Sequence, residues 1–562
     1  MTIVQTIERI SPEATAAVRE ITVGGLIVRL LEHWGVRHAF GVISIHNMPI
    51  LDPLGVSGKI RFITARGEAG ALNMADAYAR AAGELGVAVT STGTAAGNAA
   101  GAMVEALTAG SPVLHITGQV ELEHLDRNRA YIHEAPAQFE MLKAISKAAF
   151  RVLSPADVVP VFLRAAQTAL AAPAGPVSIE IPIDVQYART LVPETLPVLT
   201  RKSVSTAPAL IDQLATLLNA ARRPMLLLGG GARGAESESE RLADLGIAIV
   251  TSTNGRGVVR EDHPMSLGAF NCTPEIQALY EECDLLIVAG SRLRGNETWT
   301  YKLRLPANLA VIDSDPEAND RTYTNRLFVH GDVRETFAGL LTRMKPGWQP
   351  DSEFTGDIAA TRTKMIEGLR AQLGPYEGIV DAMQARLRRD AAWVRDVTLS
   401  NSIWGNRYLR IGHARAGIHA VGGGIGQGLP MAIGAALASP GGAIALSGDG
   451  GLTLCLGELA TLAEEAPNVT LILMNDGGYG VIRNIQDVDY GGRRYFADIL
   501  VPDFGKVAEA LGLRHERITI ASAFDAALKR ALAHSGPAIV EVDMRAIGPY
   551  PVRFAGPPRL PK

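Results

Sequence analysis

Cysteine is scarce in this chain, and the sequence has neither a long apolar run nor a strong net charge. Only three cysteines occur in 562 residues, Cys272, Cys283 and Cys455. Their spacing fits neither a metal site nor a disulfide framework, which favours a reducing, cytoplasmic compartment. No uninterrupted apolar run reaches the ~18 residues that a membrane span requires. The net charge of −4 gives no reason to expect nucleic acid or an acidic membrane as a partner.

The first twenty residues lack the pattern of a secretion signal. They contain Glu8, Glu13 and Glu20 and have no long apolar core. We therefore expect no export signal in this segment.

The chain length and the alternation of short strands with helices predict three α/β domains with doubly wound parallel sheets. A chain of 562 residues is too long for one hydrophobic core. Short β-like runs, such as 87–90 and 113–116, alternate with helices rich in small residues, which is typical of parallel sheets covered by helices. The predicted domains are an N-terminal domain over 21–190, a central domain over 205–345 and a C-terminal domain over 375–550.

Three segments between or beyond these domains are predicted to be irregular or to act as linkers. Residues 185–205 contain repeated prolines and are predicted to be a linker. Residues 357–382 are charged and are predicted to form a helical linker. The proline-rich tail after Gly548 is expected either to fold over a cleft or to be loose.

Two glycine-rich segments after apolar strands are the most informative feature of the chain. Gly448-Asp449-Gly450 follows a strand predicted over 443–446, and Asn475-Asp476-Gly477-Gly478-Tyr479-Gly480 follows one predicted over 469–474. One strand-helix-strand crossover separates the two segments. Asp449 and Asn475 should therefore meet at the carboxyl ends of neighbouring parallel strands, where open α/β sheets bind ligands.

The residue types at this edge fit a divalent cation beside a phosphate. Mg²⁺ prefers oxygen ligands, and Asp449, Asn475 and Gly477 offer a carboxylate, an amide oxygen and a backbone carbonyl. A helix that begins near Leu452 would point amide groups at the phosphates. A lone Gly-Asp-Gly segment is usually only a turn, but the second segment at this spacing favours a cofactor site. The further predicted cofactor contacts are Gly448, Gly450, Gly451, Tyr479 and Gly480.

These segments resemble the cofactor signature of thiamine-diphosphate enzymes, in the group of pyruvate decarboxylase, acetohydroxyacid synthase and benzoylformate decarboxylase. The resemblance extends through most of the chain. Residues 423–430 are similar to the family segment in which a bulky residue, here Ile425 beside Gly424, holds the cofactor in a bent shape. Without the family, Ile425 reads as a core residue. Ser400 and Asn401 occupy the place of the loop that holds the terminal phosphate.

The resemblance also implies which acid activates the cofactor. Residues 61–71 match the family segment in which a glutamate, here Glu68, hydrogen-bonds the aminopyrimidine ring. From the residues alone, Glu68 lies in the first turn of a helix that follows a short strand. The helix dipole favours its charged form there, whereas burial against a ring favours the protonated form. The alternative is a glutamate that only stabilises the start of the helix.

Further residues lie near the substrate by the same resemblance. His46 belongs to a loop that carries Ile43-Ser44 where the family has Pro-Gly, and it either faces the substrate or is solvated. His133 is a candidate proton relay, because a histidine titrates near neutrality, and Gln119 lies beside the cofactor. The predicted substrate-pocket residues are Ser91, Val481, Ile482 and Ile485, of which the last three fit a helix core equally well.

The central domain offers a competing function. Residues 229–234 satisfy the G-x-G-x-x-G dinucleotide pattern after an apolar strand. An NAD site should carry an acid after the next strand, and residues 251–254 contain none. Residues 290–297 depart from the flavin-contacting segment of flavin-dependent synthases, so FAD is not favoured as a cofactor. An NAD(P)-linked oxidoreductase remains a distant alternative.

The resemblance implies a decarboxylase or carboligase that uses thiamine diphosphate and Mg²⁺ on a 2-oxo acid, through a C2 ylide and an enamine. The alternative is an acetohydroxyacid synthase, which the segment around Gln119 favours and His133 opposes. A non-catalytic relative that binds the cofactor is a third reading, which Glu68 opposes. Because Glu68 and Asp449 lie in separate domains, the resemblance implies a homodimer or homotetramer with active sites at the subunit interface.

Overall fold

A computed structural model of the chain describes residues 20–465 and 467–556. The expectations for residues 1–19 and for the last prolines, within 557–562, lie outside the described residues. The described part contains three parallel sheets covered by helices, which confirms the predicted fold class. Within the same residues, no helix combines the length and the apolar character that crossing a membrane requires.

The N-terminal unit alternates strands and helices along the chain. Its elements are β1 (Glu20–Thr22), α1 (Val23–His33), β2 (His38–Gly41), α2 (Met48–Ser57), β3 (Arg61–Thr64), α3 (Glu68–Ala82), β4 (Gly86–Thr90), α4 (Thr94–Asn98), α5 (Ala100–Ala109), β5 (Val113–Gln119), α6 (Gln138–Ile145), β6 (Ala148–Arg151), α7 (Val158–Leu170), β7 (Val177–Pro182), α8 (Ile183–Tyr187) and β8 (Arg189–Leu191). The parallel sheet has the order β3-β2-β4-β5-β7-β6. Strands β4, β5 and β7 are buried throughout, as expected where helices cover both faces.

The predicted linker over 185–205 begins with regular structure. Helix α8 covers its first residues, and β8 pairs antiparallel with β1, with Thr190 opposite Ile21. The prediction missed this pairing because the partner strand lies at the opposite end of the unit in sequence.

The central unit is a smaller parallel sheet. Its elements are α9 (Pro208–Ala220), β9 (Pro224–Leu228), α10 (Glu236–Asp244), β10 (Ala248–Thr251), α11 (Pro274–Glu282), β11 (Leu285–Ala289), β12 (Leu309–Asp313), β13 (Leu327–His330) and α12 (Val333–Leu341). The strand order is β10-β9-β11-β12-β13. The predicted helical linker follows as two helices, α13 (Ser352–Arg370) and α14 (Glu377–Arg386).

The C-terminal unit has the third sheet, in the order β15-β14-β16-β17-β19-β18. Its elements are β14 (Ala392–Arg395), β15 (Gly417–His419), α15 (Gly428–Ala438), β16 (Ala443–Gly448), α16 (Asp449–Leu454), α17 (Glu458–Glu465), β17 (Val469–Asn475), α18 (Gly480–Asp489), α19 (Phe504–Ala510), β18 (Arg514–Ile518), α20 (Phe524–Leu532), β19 (Ala538–Asp543) and α21 (Met544–Ile547).

The N-terminal and C-terminal units pack through α3 and α15. The two helices approach so closely that a Cβ atom on Gly434 would lie 2.0 Å from the carbonyl oxygen of Met74. Side chains of both helices, including Ala75 and Ala432, belong to one buried apolar cluster. This contact fixes the C-terminal sheet against the helix that begins at Glu68.

Candidate active site

Asp449 and Asn475 lie at the same edge of the C-terminal sheet. Strands β16 and β17 are parallel neighbours, with Gly448 opposite Met474. Helix α16 begins at Asp449 itself and not near Leu452, so the predicted start of this helix is wrong. The early start is sterically possible because Gly450 has no side chain, and a Cβ atom there would lie 2.7 Å from Cδ1 of Tyr479.

The Asp449 carboxylate is buried against backbone amides. It accepts hydrogen bonds from the amides of Asp476 at 3.1 Å and of Gly478 at 2.7 Å. Burial and the neighbouring Asp476 carboxylate raise the pKa of Asp449 to about 6. Arg483 compensates Asp476 through an ion pair of 2.7 Å, an arrangement that the sequence analysis missed. A cation beside Asp449 would favour its charged form.

The Asn475 side chain is oriented by Glu541, which the sequence analysis also missed. The amide nitrogen of Asn475 donates to Oε1 of Glu541 at 2.8 Å, and Nε2 of His515 lies 2.8 Å from Oε2. An ionised carboxylate only accepts hydrogen bonds, so the amide nitrogen must face Glu541. The amide oxygen is left facing the loop, where it accepts from the amide of Gly477 at 3.2 Å.

Gly477, the third predicted metal ligand, is engaged elsewhere. Its carbonyl oxygen accepts hydrogen bonds from Arg483 at 3.2 Å and from Arg545 at 3.3 Å. A metal cation would compete with both guanidinium groups for this oxygen. Asp449 and Asn475 thus fit a Mg²⁺ site, whereas Gly477 fits only after these arginines move. Within residues 20–465 and 467–556 no three His, Cys, Asp or Glu side chains form a metal cluster, so a cation here would need amide and carbonyl oxygens in addition to the Asp449 carboxylate.

The loop that carries Gly424 and Ile425 is held by a buried acid from the neighbouring strand. Asp396, after β14, accepts hydrogen bonds from the amides of Val397 at 2.7 Å and Gly426 at 3.0 Å. Burial raises the pKa of Asp396 to about 6. Ile425 is 39% exposed, so the reading as a core residue is wrong. Asp396 was missed, although an acid directly after an apolar strand is the same signal that identified Asp449.

A second acid holds this loop from the N-terminal unit. Glu105 on α5 accepts hydrogen bonds from the amides of Val421 at 2.6 Å and Gly422 at 2.7 Å. Arg80 bridges Glu105 and Asp76, and all three side chains are buried. The loop is therefore fixed between the two units by charged groups that local sequence patterns do not reveal.

Ser400 and Asn401 are buried at the start of a π-helical turn over Asn401–Gly405. The Ser400 hydroxyl accepts a hydrogen bond of 2.9 Å from Tyr550 in the tail. The Tyr550 ring stacks on Tyr376 at 4.2 Å, so the tail is not loose at this point. Oδ1 of Asn401 is buried and has no hydrogen-bond partner among the described residues, which leaves Asn401 free to bind a ligand.

Glu68 is the first residue of α3, as predicted. It is half-buried, and its Oε2 accepts a hydrogen bond of 3.2 Å from Asn98. The same turn packs against α17, where a Cβ atom on Gly70 would lie 2.1 Å from Oε1 of Glu458. In the described part of the chain, no hydrogen bond joins Glu68 to Asp449 or Asn475.

The structure brings His46 and His133 together. Their rings meet edge to face with centroids 5.2 Å apart. His46 is buried, and burial and then the charge of His133 lower the pKa of His46. The His46 loop approaches β5 closely because Gly118 lacks a side chain, since a Cβ atom there would lie 2.2 Å from the His46 carbonyl oxygen.

Neighbouring polar groups complete this region. Oε1 of Gln119 accepts a hydrogen bond of 3.1 Å from the Thr92 hydroxyl. The buried Ser91 hydroxyl has no partner among the described residues. Asn47, which the sequence analysis did not select, fixes the path of the His46 loop by accepting from the Ser44 amide at 2.8 Å and donating to the Val42 carbonyl at 2.9 Å.

The predicted substrate-pocket residues on α18 do not form a helix core. Gly480 is the buried residue of this helix, and Ile482 is 45% exposed. Val481 and Ile485 are only partly buried. The alternative reading of these side chains as core residues is therefore wrong.

The glycine-rich segment over 229–234 is explained by packing. A Cβ atom on Gly229 would lie 2.1 Å from the carbonyl oxygen of Gly290, and one on Gly231 would lie 2.8 Å from its Cα. The loop lines a cavity of about 380 Å³. Because close contact with Gly290 already requires these glycines, the pattern by itself does not identify a dinucleotide site.

Comparisons with known proteins agree with this arrangement. Three thiamine pyrophosphate enzyme models match the chain: the N-terminal TPP binding domain over 21–141, the central domain over 211–340 and the C-terminal TPP binding domain over 399–542. The chain belongs to the thiamine pyrophosphate enzyme family.

Full-length relatives within this family differ in activity. A probable 2-ketoarginine decarboxylase of Pseudomonas aeruginosa is 30% identical over 93% of this chain and 94% of its own length. An acetolactate synthase of Arthrospira platensis is 29% identical, with 94% of each chain covered. A probable acetolactate synthase large subunit of Methanocaldococcus jannaschii is 28% identical over 92% of this chain and 90% of its own. The chain is thus similar to both decarboxylases and synthases.

Proposed function

We propose that this protein is a thiamine-diphosphate- and Mg²⁺-dependent enzyme that decarboxylates a 2-oxo acid. The observation that carries the proposal is the pair of Asp449, a buried carboxylate, and Asn475, an amide oriented by Glu541, on neighbouring strand ends. These two side chains would hold Mg²⁺. The predicted contacts to the diphosphate and to the cofactor rings are Ser400, Asn401, Gly424, Ile425, Gly448, Gly450, Gly451, Tyr479 and Gly480.

Thiamine diphosphate, when bound, supplies the nucleophilic carbon and the electron sink that loss of CO₂ requires. Glu68 would donate a hydrogen bond to the cofactor's pyrimidine end. Glu68 and Asp449 lie in the N-terminal and C-terminal units, and from the resemblance to the family we propose that a second subunit completes each site. The protein would then be a homodimer or a pair of such dimers.

The His46–His133 pair favours decarboxylation over ligation. After CO₂ leaves, the reacting carbon needs a proton before an aldehyde can be released. A histidine pair beside the site can hold and transfer that proton, because an imidazole nitrogen can act as a general acid or base. Gln119 and the Ser91 hydroxyl would orient the substrate carbonyl and carboxylate.

An acetolactate synthase type of transfer is the second candidate. The synthase relatives and the position of Gln119 favour it. In that reaction a second 2-oxo acid reacts at the carbon that would otherwise take up the proton, so the histidine pair is not needed for that step. We do not propose FAD or NAD in the central unit, because its glycines are explained by packing. The three cysteines are free, which supports our proposal of a cytoplasmic location.

Incubation with a panel of 2-oxo acids tests the proposal. The protein is loaded with Mg²⁺ and thiamine diphosphate, and CO₂, aldehydes and hydroxyketo acids are measured together by mass spectrometry. CO₂ with an aldehyde supports decarboxylation, whereas CO₂ with a 2-hydroxy-3-oxo acid supports the synthase alternative. Glu68→Gln should lower turnover by about 10²–10⁴-fold while cofactor binding persists. Full turnover by Glu68→Gln would contradict the assigned role of Glu68.

A further inference from the structure

A second cavity, of about 160 Å³, lies between the central unit and the start of the C-terminal unit. Its walls come from α13, from residues 261–270 and from the segment over 407–410 that follows the π-helical turn. Three guanidinium groups line it, those of Arg362, Arg407 and Arg410. We call this space the arginine cavity.

None of these three arginines forms an ion pair with a carboxylate of the described residues. Arg362 donates to the carbonyl of His263 at 3.0 Å, and Arg407 donates to the carbonyl of Ser402 at 3.2 Å. Arg410 makes no side-chain hydrogen bond within the described part of the chain. The positive charge of the cavity is therefore left to solvent or to a ligand.

The carboxylate of the lining is already engaged. Both oxygens of Glu261 accept hydrogen bonds from Arg256, at 2.7 and 2.8 Å, and one also accepts from the amide of Ile411 at 2.8 Å. Burial lowers the pKa of Arg407, as expected for a cation without a counter-charge. An anion in the cavity would offset this cost.

Part of the lining of the cavity is apolar. Leu267, Phe270 and Met365 are buried there, and the Arg407 guanidinium lies 5.9 Å from the Phe270 ring centroid. A bare inorganic anion would leave this part of the lining in contact with water. A ligand with a charged head and a short hydrocarbon body matches a lining that contains both guanidinium groups and apolar side chains.

We propose that the arginine cavity is a binding site for a short-chain carboxylate. The carboxylate would bind Arg407 and Arg410, and the hydrocarbon would lie against Phe270 and Met365. A cavity of roughly 150 Å³ accommodates benzene, so the ligand has about six to eight non-hydrogen atoms. Carboxylates are preferred partners of the planar guanidinium group, which can form two parallel hydrogen bonds to them.

The position of Arg407 suggests what such binding does. Its guanidinium group holds the carbonyl of Ser402, in the turn that also carries Asn401. A carboxylate that binds the Arg407 guanidinium group would weaken its hydrogen bond to Ser402 and so destabilise the turn over Asn401–Gly405. This consequence rests on the proposed role of Asn401 in diphosphate binding, whereas the carboxylate site itself does not.

Calorimetric titration of the cofactor-free full-length protein with 3-methylbutanoate, at constant ionic strength, tests the site. We expect saturable binding that Arg410→Met weakens by at least about ten-fold and that the neutral analogue 3-methylbutanamide does not reproduce. Arg388→Met is the matched control, because Arg388 is exposed, pairs with Asp390 and is not part of the cavity. His133→Ala should leave this binding unchanged, which separates the cavity from the proposed substrate site.

Two results would overturn the proposal. One is absence of binding, or equal binding by the wild type and Arg410→Met. The other is that inorganic phosphate binds to the protein and 3-methylbutanoate does not, which would show an unspecific anion site. Met365→Trp fills the cavity without removing a charge, and it should abolish binding while the melting temperature stays near that of the wild type. If all variants bind normally, the ligand lies elsewhere and the inference is wrong.

Discussion

The N-terminal and C-terminal sheets have the same strand order, but their ligand-binding edges carry different chemistry. The N-terminal sheet has the order β3-β2-β4-β5-β7-β6, and the C-terminal sheet has the order β15-β14-β16-β17-β19-β18. In both orders the strands follow the same sequence of chain positions. Strand β4 therefore corresponds to β16, β5 to β17 and β7 to β19. One scaffold is used twice, and the residues at its strand ends decide what each copy binds.

Strand register extends the correspondence to single residues. Glu180 on β7 is opposite Arg151 and Thr117, and Glu541 on β19 is opposite Arg517 and Leu473. Each buried glutamate thus lies at the same place in its sheet, beside an arginine of the edge strand. The same register aligns Gln119 with Asn475 at the strand ends. Counting on past the ends of β4 and β16 places Thr92 at the position that corresponds to Asp449.

The two glutamates serve different purposes. Glu180 accepts hydrogen bonds from Gln138 at 2.9 Å and from Arg151 at 2.6 Å, and neither comes from Gln119. Glu541 instead orients Asn475. In the N-terminal sheet the glutamate holds the start of α6 and the edge strand β6. In the C-terminal sheet it orients the Asn475 amide at the carboxyl end of β17.

The largest expected effect is the loss of cofactor binding when Asp449 is removed. Asp449→Ala should weaken thiamine diphosphate binding in the presence of Mg²⁺ by more than about 100-fold, since changes behind a metal ligand already cost about 10–100-fold. Calorimetric titration measures this. Its counterpart Thr92→Ala removes a hydroxyl that hydrogen-bonds Gln119 and Gln138, and we expect its cofactor affinity to stay near that of the wild type. If both variants lost the same cofactor affinity, the strand ends of both sheets would contribute to binding the diphosphate and its metal ion.

A crossed pair of variants tests the two glutamates. Glu541→Met leaves the Asn475 amide without its acceptor and should lower Mg²⁺ affinity by about 10–100-fold, as measured by the free Mn²⁺ signal in electron paramagnetic resonance. Glu180→Met removes the acceptor of Gln138 and one of the two acidic partners of Arg151, which keeps Asp126. It should reduce the free energy of unfolding by about 1–3 kcal/mol with unchanged metal affinity.

Glu541→Gln is the control for this pair. Its amide oxygen can still accept from Asn475, so most of the metal affinity should return. If Glu541→Met and Glu180→Met both lower the melting temperature and neither changes Mn²⁺ binding, the orienting role of Glu541 is contradicted. If the wild type itself binds no Mn²⁺ with thiamine diphosphate, the proposed cofactor site fails instead.

The correspondence between the sheets could be predicted only in part. Alternating apolar strands and small-residue helices predicted all three sheets, and the spacing of Asp449 and Asn475 predicted their common edge. The roles of Glu180 and Glu541 were not predicted, because a charged residue inside an apolar strand has no partner nearby in the sequence. Asp76, Arg80 and Glu105 were missed for the same reason, because their partners lie in other elements. Local patterns thus predict elements and strand ends, whereas buried charge networks depend on tertiary contacts.

The smallest expected effect concerns Asp396, whose counterpart in the N-terminal sheet is Val42. Its pKa is raised from an ordinary value of 3.8 to about 6 by burial, so the folded protein binds this proton more tightly than the unfolded chain does. The resulting stabilisation is present at low pH and is lost as the pH rises through 6. Asp396→Asn cannot titrate and lacks this dependence.

Thermal unfolding of the wild type and Asp396→Asn at pH 5 and pH 8, without cofactor, measures this effect. When the pH falls from 8 to 5, the free energy of unfolding of the wild type should rise by about 1.4 kcal/mol relative to that of Asp396→Asn, since pH 5 lies one unit below the raised pKa. Asp449 titrates in the same range but is present in both proteins, so its contribution cancels in the difference. Parallel stability curves across this range would show that the Asp396 carboxylate stays ionised when buried, and the loop at Gly426 would then be held by a charged group, unlike the apolar position of Val42.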